Sequence, residues 1–286
     1  MAITDQRADL HAHTTASDGM LAPGALVRLA AQAGLAAVAV TDHDTTAGVD
    51  EALAEGARLG VEVVPGIEIS AYADDQAIHV LGYCMDLGDA DWQRRIEGLR
   101  GGRQRRNEQI VARLNALGIA LTMEQVRRIA GKAGTAEETL GRPHIAAALV
   151  ACGAAASVTD AFERYLGSGC AAYVAIPRLS PHEAVGWIRE AGGAAVIAHP
   201  GLYRRDDLVE RLLRGGAAGL EVSHPDHDGE DERRYRALAE RCGAIATAGS
   251  DFHGEREGGA YHGALGSRSV PVEVLRRIAR ACGDAT

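Results

Sequence analysis

Aromatic side chains are scarce: two Phe, two Trp and seven Tyr make up 4% of 286 residues, so the core has to rest on Ala, Val, Leu and Ile. No uninterrupted apolar run approaches the 18 residues a membrane span needs. The first ten residues, MAITDQRADL, lack a basic segment followed by an apolar run, so no secretory signal is expected and the location expected is cytoplasmic. Positive charge is in deficit, with 30 Lys and Arg against 39 Asp and Glu and a net charge of −9. That balance argues against stable binding of duplex nucleic acid, which demands many phosphate-neutralising cations. Small anionic ligands remain compatible if positive charge or metal is concentrated locally. The five cysteines (Cys84, Cys152, Cys170, Cys242, Cys282) are odd in number, scattered and never spaced C-x-x-C. They are expected to be buried, reduced thiols.

What is present is the composition of a folded chain, 47% hydrophobic and 24% charged, which excludes disorder as the main state. The length suits one large domain, or one domain with an insertion. Short apolar runs recur at 36–44, 61–70, 77–83, 193–201, 218–226 and 243–253, each closed by polar residues. Runs of that kind suit strands buried on both faces, as in parallel sheets. Helical patterns fall between them at 22–34, 49–60, 180–193, 207–216 and 230–243. Ser180, Pro181 and Glu183 supply a helix start with the spacing of a capping box. Alternating strands and helices predict an α/β barrel. Residues 94–176 break the rhythm, with helical patterns and no clear strand. The expected organisation is a barrel of 1–93 and 177–286 interrupted by a helical insertion.

The residues that close the strands share one chemistry. His11, His13 and Asp18 come first, then Asp42 and His43, Glu68, His79, His199, Glu221 and His224, and last Asp251 and His253. In an α/β barrel the strand ends converge on one face, where sites are built. Residues two apart on a strand point the same way, so His11 and His13 are suited to one ion, and Asp251 and His253 repeat the spacing. A lone histidine is more often a hydrogen-bonded bystander than a ligand, yet that explanation has to be repeated at every strand. Imidazoles and carboxylates without thiolate suit Mn, Fe, Zn, Co or Ni. So many candidate ligands exceed the needs of one ion, so a cluster of two or three is expected.

The segments DLHAHTTASDG, TDHD, GIEIS, IHVLGY, AHPG and GSDFH, spread over positions 9–253, resemble the successive motifs of the PHP (polymerase and histidinol phosphatase) family of metal-dependent phosphoesterases. The resemblance implies a distorted seven-stranded β/α barrel and three divalent ions, with Mn favoured and Fe or Zn as alternatives. It also implies three subsites: His11, His13, Glu68 and Asp251; Glu68, His79 and His199, with Glu68 bridging; and Asp18, His43 and His253. None of these nine positions departs from the family pattern. The implied reaction is in-line attack by a metal-activated hydroxide on a phosphate ester, without a covalent intermediate. Asp251, His224 and a metal-bound water are alternative proton donors to the leaving group.

Arg94, Arg95, Arg100, Arg103, Arg105 and Arg106 fall within thirteen residues of this acidic chain. Arg103, Arg106 and Asn107 stand at i, i+3 and i+4, on one helix face. Guanidinium forks suit phosphate, although a solvated charged face is the plainer reading. Arg142 and His144 sit at the predicted start of a helix, a position that favours anions. His224 is a further substrate-contact candidate, whereas His227 lies in an acidic stretch that reads as surface loop. The segments RQRRNEQIVARLNALGI, LGRPHIAAALV and AHPGLY resemble a PHP subgroup that includes 3′,5′-nucleoside bisphosphate phosphatases, with relatives that trim short RNA from the 5′ end. The expected activity is removal of the 3′-phosphate from a nucleoside 3′,5′-bisphosphate, as in adenosine 3′,5′-bisphosphate to AMP. Alternatives are a 5′→3′ exonuclease on short oligoribonucleotides, a histidinol-phosphate phosphatase, a C–N bond hydrolase, and a non-enzymatic metal-stabilised scaffold or sensor. The partner expected is a small nucleotide or short oligonucleotide; no protein partner is indicated. The Gly-rich pieces LRGG and REGGAYHG lack the strand–G-x-G-x-x-G–helix setting of a dinucleotide loop and read as turns. Ser17, Ser70 and Ser250 lack the G-x-S-x-G elbow of a serine nucleophile.

Overall fold

The computed structural model describes residues 6–74, 76–131, 139–175, 179–256, 259–260 and 262–283, with the backbone alone at 255, 256, 259, 260 and 283. The first five residues, residues 132–138 and 176 of the expected insertion, residues 177 and 178 of the expected barrel and parts of REGGAYHG therefore lie outside the described residues. The elements in chain order are β1 (Arg7–Asp9), α1 (Pro23–Gln32), β2 (Ala37–Val40), α2 (Val49–Leu59), β3 (Glu62–Ala73), β4 (Gln76–Tyr83), α3 (Ala90–Ala116), α4 (Met123–Ile129), α5 (Arg142–Ala151), α6 (Val158–Ala161), α7 (Pro181–Glu190), β5 (Ala194–Ile197), α8 (Asp206–Arg214), β6 (Gly219–Ser223), α9 (Gly229–Cys242), β7 (Ile245–Ala248), β8 (Glu255–Arg256), β9 (Gly259–Ala260), β10 (Val270–Pro271) and α10 (Glu273–Gly283). Two compact units emerge, Met1–Gln93 with Arg178–Thr286, and Arg94–Pro177.

In the first unit one sheet runs β10-β1-β2-β3-β4-β5-β6-β7. Past β1, Leu10 donates its N–H to the Ala248 carbonyl at 3.2 Å, and His13 donates to the Phe252 carbonyl at 2.8 Å. Ala12 bridges Phe252 in parallel register. These bonds join the two sides of the sheet into a nearly closed barrel. The seven expected strands are present, and the two-residue β10 adds an eighth, antiparallel to β1.

The inner and outer faces follow from the period of two along each strand. Ala37 and Ala39 of β2, Val64 of β3, Leu81 and Tyr83 of β4, and Ala194 and Val196 of β5 fill the barrel interior. Val38, Val40, Val61 and Val63 point outward, against Leu26, Val27 and Ala30 of α1 and Ala52 of α2. Each large aliphatic side chain buried this way contributes roughly 1.5–3 kcal/mol. α7 starts on the expected capping box: Ser180 Oγ accepts the Glu183 N–H at 3.2 Å, and Glu183 Oε2 accepts the Ser180 N–H at 2.9 Å.

One expectation fails at β4. Its run reads as another parallel strand, but it pairs antiparallel with both β3 and β5. β3 ends at Ala73 and β4 begins at Gln76, and a parallel crossover needs a dozen or more residues. The short interval between the two runs was the available signal. A second correction concerns the cysteines: Cys84 and Cys152 are exposed, and Cys170, Cys242 and Cys282 are partly exposed.

In the second unit the described residues are helical, as expected, with no strand among them. Ile110 and Leu114 of α3, Val126 of α4, Ile145 and Leu149 of α5, and Ala161 and Leu166 form its core.

Gly249 ends β7 with no room for a side chain: a Cβ there would lie 2.2 Å from His11 Cβ and 2.6 Å from His11 N. Gly249→Ala should lower stability by about 2 kcal/mol or more through backbone displacement. Urea unfolding checks this, and an unchanged midpoint would show that the contact relaxes freely.

Candidate metal centre

The interior rows that fill the barrel continue upward into the candidate ligands. Val64 leads through Gly66 to Glu68, and Ala37 and Ala39 lead through Thr41 to His43, with His43 bridging Glu68 in parallel register. On β4 the row runs backwards, from Tyr83 through Leu81 to His79, and His79 pairs with Ser70 of β3. Reversal of β4 therefore explains why His79 comes before the buried part of its run, whereas Glu68 comes after Val63 and Val64 in β3.

Glu68 stands at the centre, 1% exposed. Its Oε1 lies 2.8 Å from His79 Nδ1, 3.1 Å from His199 Nε2 and 3.5 Å from His11 Nε2. Its Oε2 lies 3.0 Å from His43 Nδ1 and 3.2 Å from His13 Nε2. Asp251 Oδ1 approaches His13 Nε2 at 3.1 Å and His11 Nε2 at 3.3 Å. Asp18 Oδ1 lies 3.3 Å from His253 Nε2, and its Oδ2 lies 3.9 Å from His43 Nε2. All nine residues of the resemblance thus share one cluster. Ligand atoms lie within 4.8 Å of one another in several groups, among them His13, Asp18, His43 and His253; His11, His13 and Glu68; and His43, Glu68 and His79. His11 and His13 do not lie within a strand, since β1 ends at Asp9; the turn and the Ala12–Phe252 bridge set their directions.

The donor set fits divalent cations. Buried His11 Nε2, His13 Nε2, Asp18 Oδ1, His199 Nδ1 and Asp251 Oδ1 make no well-directed hydrogen bond, although most face an opposite group within the cluster. An unsatisfied buried polar group costs about 1–3 kcal/mol, and several together call for a cation. The electrostatics agree. Burial opposes charge on Glu68, but the imidazoles of His79, His43 and His11 hold it well below the ordinary carboxylate range. Asp251 and Asp18 are held low in the same way, Asp251 by His11 and His253, Asp18 by His43 and His253. Burial likewise works against a proton on His13, yet Asp251 and Glu68 push it up to about 10.

Several contributors lie outside the nine-residue ligand set. Asp42 holds the turn that carries Asp18: its Oδ1 accepts Thr14 N–H at 2.8 Å and Ser17 Oγ–H at 2.5 Å, and its Oδ2 accepts Thr14 Oγ1–H at 2.7 Å. Asp9 accepts the backbone N–H groups of His11, Ser250 and Gly266, at 3.2, 2.9 and 2.8 Å. Burial raises Asp9 to about 6 against those donors. His262 went unmarked because its stretch reads only as a Gly-rich turn. Its Nδ1 lies 2.7 Å from Asp226 Oδ2 and its Nε2 lies 3.6 Å from Asp251 Oδ2. His224 is fully buried, and its Nδ1 accepts the Asp226 N–H at 3.1 Å. Its Nε2–H therefore faces Asp251 Oδ2, at 3.2 Å. His227, expected in a surface loop, is 4% exposed and bonded through both ring nitrogens, a correction that the polar local sequence hid.

In the second unit Arg103, Arg106 and Asn107 are buried, with Asn107 Oδ1 accepting from Arg106 and Asn107 Nδ2–H donating to the Leu140 carbonyl at 2.7 Å. Arg142 lies 5.8 and 5.9 Å from the Phe162 and Tyr173 ring centroids and donates to the Leu166 carbonyl. His144 Nδ1 accepts the Gly141 N–H at 2.9 Å, tying down the start of α5. Arg142 and His144 thus have local structural partners.

A barrel that ends in a buried cluster of imidazoles and carboxylates defines a metal-dependent hydrolase. The comparisons agree. The PHP domain matches residues 9–136. The 3′,5′-nucleoside bisphosphate phosphatase of Chromobacterium violaceum is 38% identical over 256 residues, covering 88% of each chain. The 5′-3′ exoribonuclease Rnm of Escherichia coli is 35% identical over 253 residues, covering 86% of this chain and 84% of that one. A crystal structure from Bifidobacterium adolescentis, described as a metal-dependent phosphoesterase, superposes with a TM-score of 0.87 at 34% identity over 96% of both chains. The chain belongs to the PHP family of phosphoesterases.

The protonated cluster makes a pH prediction for chelator-stripped protein. Raised His13 contributes stability that is complete below the ordinary imidazole value of 6.5 and is lost as pH rises through about 10. Lowered Glu68 contributes stability that is complete above its ordinary 4.5 and is lost as pH falls. The urea midpoint should peak between these values and decline on both sides, with added divalent cation flattening the alkaline decline. A midpoint that climbs from pH 6.5 to 10 in the stripped protein would contradict the assignment.

Proposed function

We propose that this protein is a metal-dependent phosphomonoesterase that removes the 3′-phosphate from nucleoside 3′,5′-bisphosphates. The observation that carries the reading is the nine-residue cluster around Glu68, together with 38% identity to a phosphatase of that specificity. In this reading His11, His13, Glu68 and Asp251 hold one ion, Glu68, His79 and His199 a second, and Asp18, His43 and His253 a third, with Mn as the metal. Bound divalent ions supply an activated water near neutral pH and offset charge on the phosphate oxygens.

The chain's own residues do the rest. Glu68, His11 and His13 are buried, and charge interactions among buried groups are stronger than in water. Asp251, beside both His11 and His13, fixes the ligand geometry, and His224 presents an N–H on its far side. His224 and Asp251 are the residues this reading assigns to proton handling at the leaving oxygen. Capture of the second phosphate is assigned to Arg103, Arg106, Asn107, Arg142 and His144 of a substrate-binding insertion, 94–176, on chemical grounds: guanidinium forks match phosphate oxygens. A nucleotide substrate agrees with a cytoplasmic location, and among the described residues no helix is long and apolar enough to cross a membrane.

A second reading, 5′→3′ exonuclease on short oligoribonucleotides, is favoured by 35% identity to the Escherichia coli exoribonuclease. Chelator should abolish turnover and Mn²⁺ restore it; full activity in rigorously metal-free protein would remove the proposal. Mn-loaded protein offered adenosine 3′,5′-bisphosphate and 5′-phosphorylated dinucleotides should release phosphate and AMP from the first faster than mononucleotides from the second. The reverse order would establish the exonuclease reading. Arg106→Ala should raise KM about tenfold or more, roughly 1.4 kcal/mol, with kcat less affected; unchanged KM would take the arginine out of substrate capture.

A further inference from the structure

His199 has φ 25° and ψ 59°, a conformation that non-glycine residues rarely hold. Such strain costs on the order of 1–3 kcal/mol and persists only where neighbouring contacts over-determine the backbone. Hydrogen bonds along the segment supply that constraint. Ala198 donates its N–H to the His79 carbonyl at 3.1 Å. Glu221 Oε2 accepts the His199 N–H at 2.8 Å. Tyr235 OH donates to the Pro200 carbonyl at 3.1 Å. His227 Nε2 accepts the Gly201 N–H at 3.0 Å, while its Nδ1–H donates to the Val222 carbonyl at 2.9 Å.

Glu221 also acts on a second ligand. Its two oxygens lie 3.1 and 3.3 Å from His11 Nδ1, so that nitrogen holds a proton and His11 Nε2, directed toward Glu68 and Asp251, is the nitrogen left to bind a cation. One fully buried carboxylate thereby fixes the ring of one ligand and the backbone of another. His227 uses both ring nitrogens, one as donor and one as acceptor, which defines the neutral Nδ1–H tautomer and leaves no ring nitrogen for an ion. Both residues come from β6 and the turn after it, and neither belongs to the nine-residue ligand set.

We propose that Glu221 and His227 are positioning residues that preset His199 for cation binding, and that Glu221 couples the His199 subsite to the His11 subsite. The inference rests on the metal-centre reading above. Glu221→Gln offers one acceptor to two donors. Either the His199 N–H loses its partner or His11 turns to the Nε2–H tautomer, which blocks its lone pair. His227→Phe keeps a ring and removes both bonds. Tyr235→Phe removes only the bond to Pro200.

The test strips full-length parent and variant proteins with chelator and titrates each with Co²⁺. Visible absorption reports ligand geometry, and metal analysis after dialysis counts retained equivalents. Ser223→Ala, which loses only the bond from Ser223 Oγ to Glu232, serves as the reference. His227→Phe should weaken one class of Co²⁺ sites by about 10–100-fold, the range for residues that orient metal ligands. Glu221→Gln should weaken two classes and alter the spectrum. Tyr235→Phe should shift the same class as His227→Phe by a smaller factor, and Ser223→Ala should match the parent. Circular dichroism at the titration temperature confirms folding. If one of the larger substitutions fails to fold, the other and Tyr235→Phe decide. Folded variants with parental affinity and spectrum overturn the inference while leaving the metal centre intact. A parent that takes up no Co²⁺ removes the metal-centre reading and this inference with it.

Discussion

The carboxylate of Glu68, buried at the barrel mouth with five imidazoles about it, is the constraint the rest of the site answers to. A buried carboxylate without compensation costs several kcal/mol, and only positive charge held close offsets it. In the bare protein, protons on His11 and His13 do so: Asp251 and Glu68 push His13 up to about 10, and neighbouring imidazoles hold Glu68 low. Divalent cations do the same with ligand atoms already in place. The cluster is a store of unsatisfied donors and acceptors that folding alone would not favour, and its persistence in a well-packed barrel is the physical sign of a cation site.

Holding those atoms apart from better partners takes a second layer. Asp42 closes the turn carrying Asp18, Asp9 ties the His11 segment to the Ser250 segment, and Glu221 faces His11 and the His199 backbone. Each spends its oxygens on donors that would otherwise drift, so the ligand atoms stay directed inward. Positive φ at both His199 (25°) and Asp251 (48°) shows the chain bent to meet the cluster. Rigidity of this kind suits phosphoryl chemistry, where positioning and electrostatic stabilisation carry most of the rate.

Much of the fold was legible along the chain. The apolar runs located β2 to β7 within a few residues, the capping box located α7, and the break in rhythm located the helical stretch after residue 93. Most of the nine candidate ligands were legible because they sit where an apolar run gives way to an imidazole or carboxylate, a contrast that needs no knowledge of distant neighbours; His79, inside its run, and Asp18, in a polar turn, were legible through the motifs that hold them. The direction of β4 was not legible from periodicity, because an alternating row looks the same read forwards or backwards. Exposure of the cysteines and burial of His227 also escaped, since both depend on which distant elements cover a residue.

The sequence by itself determined the ligand types, their order and the family to which the chain belongs. These depend on side-chain chemistry at positions set by local strand and turn preferences. Only the tertiary structure decided that Glu68 lies among five imidazoles, that β4 runs backwards to deliver His79, and that Glu221, His227 and His262 lie against the cluster. Those facts depend on pairings between segments far apart in the chain, where no local pattern records which donor will meet which acceptor.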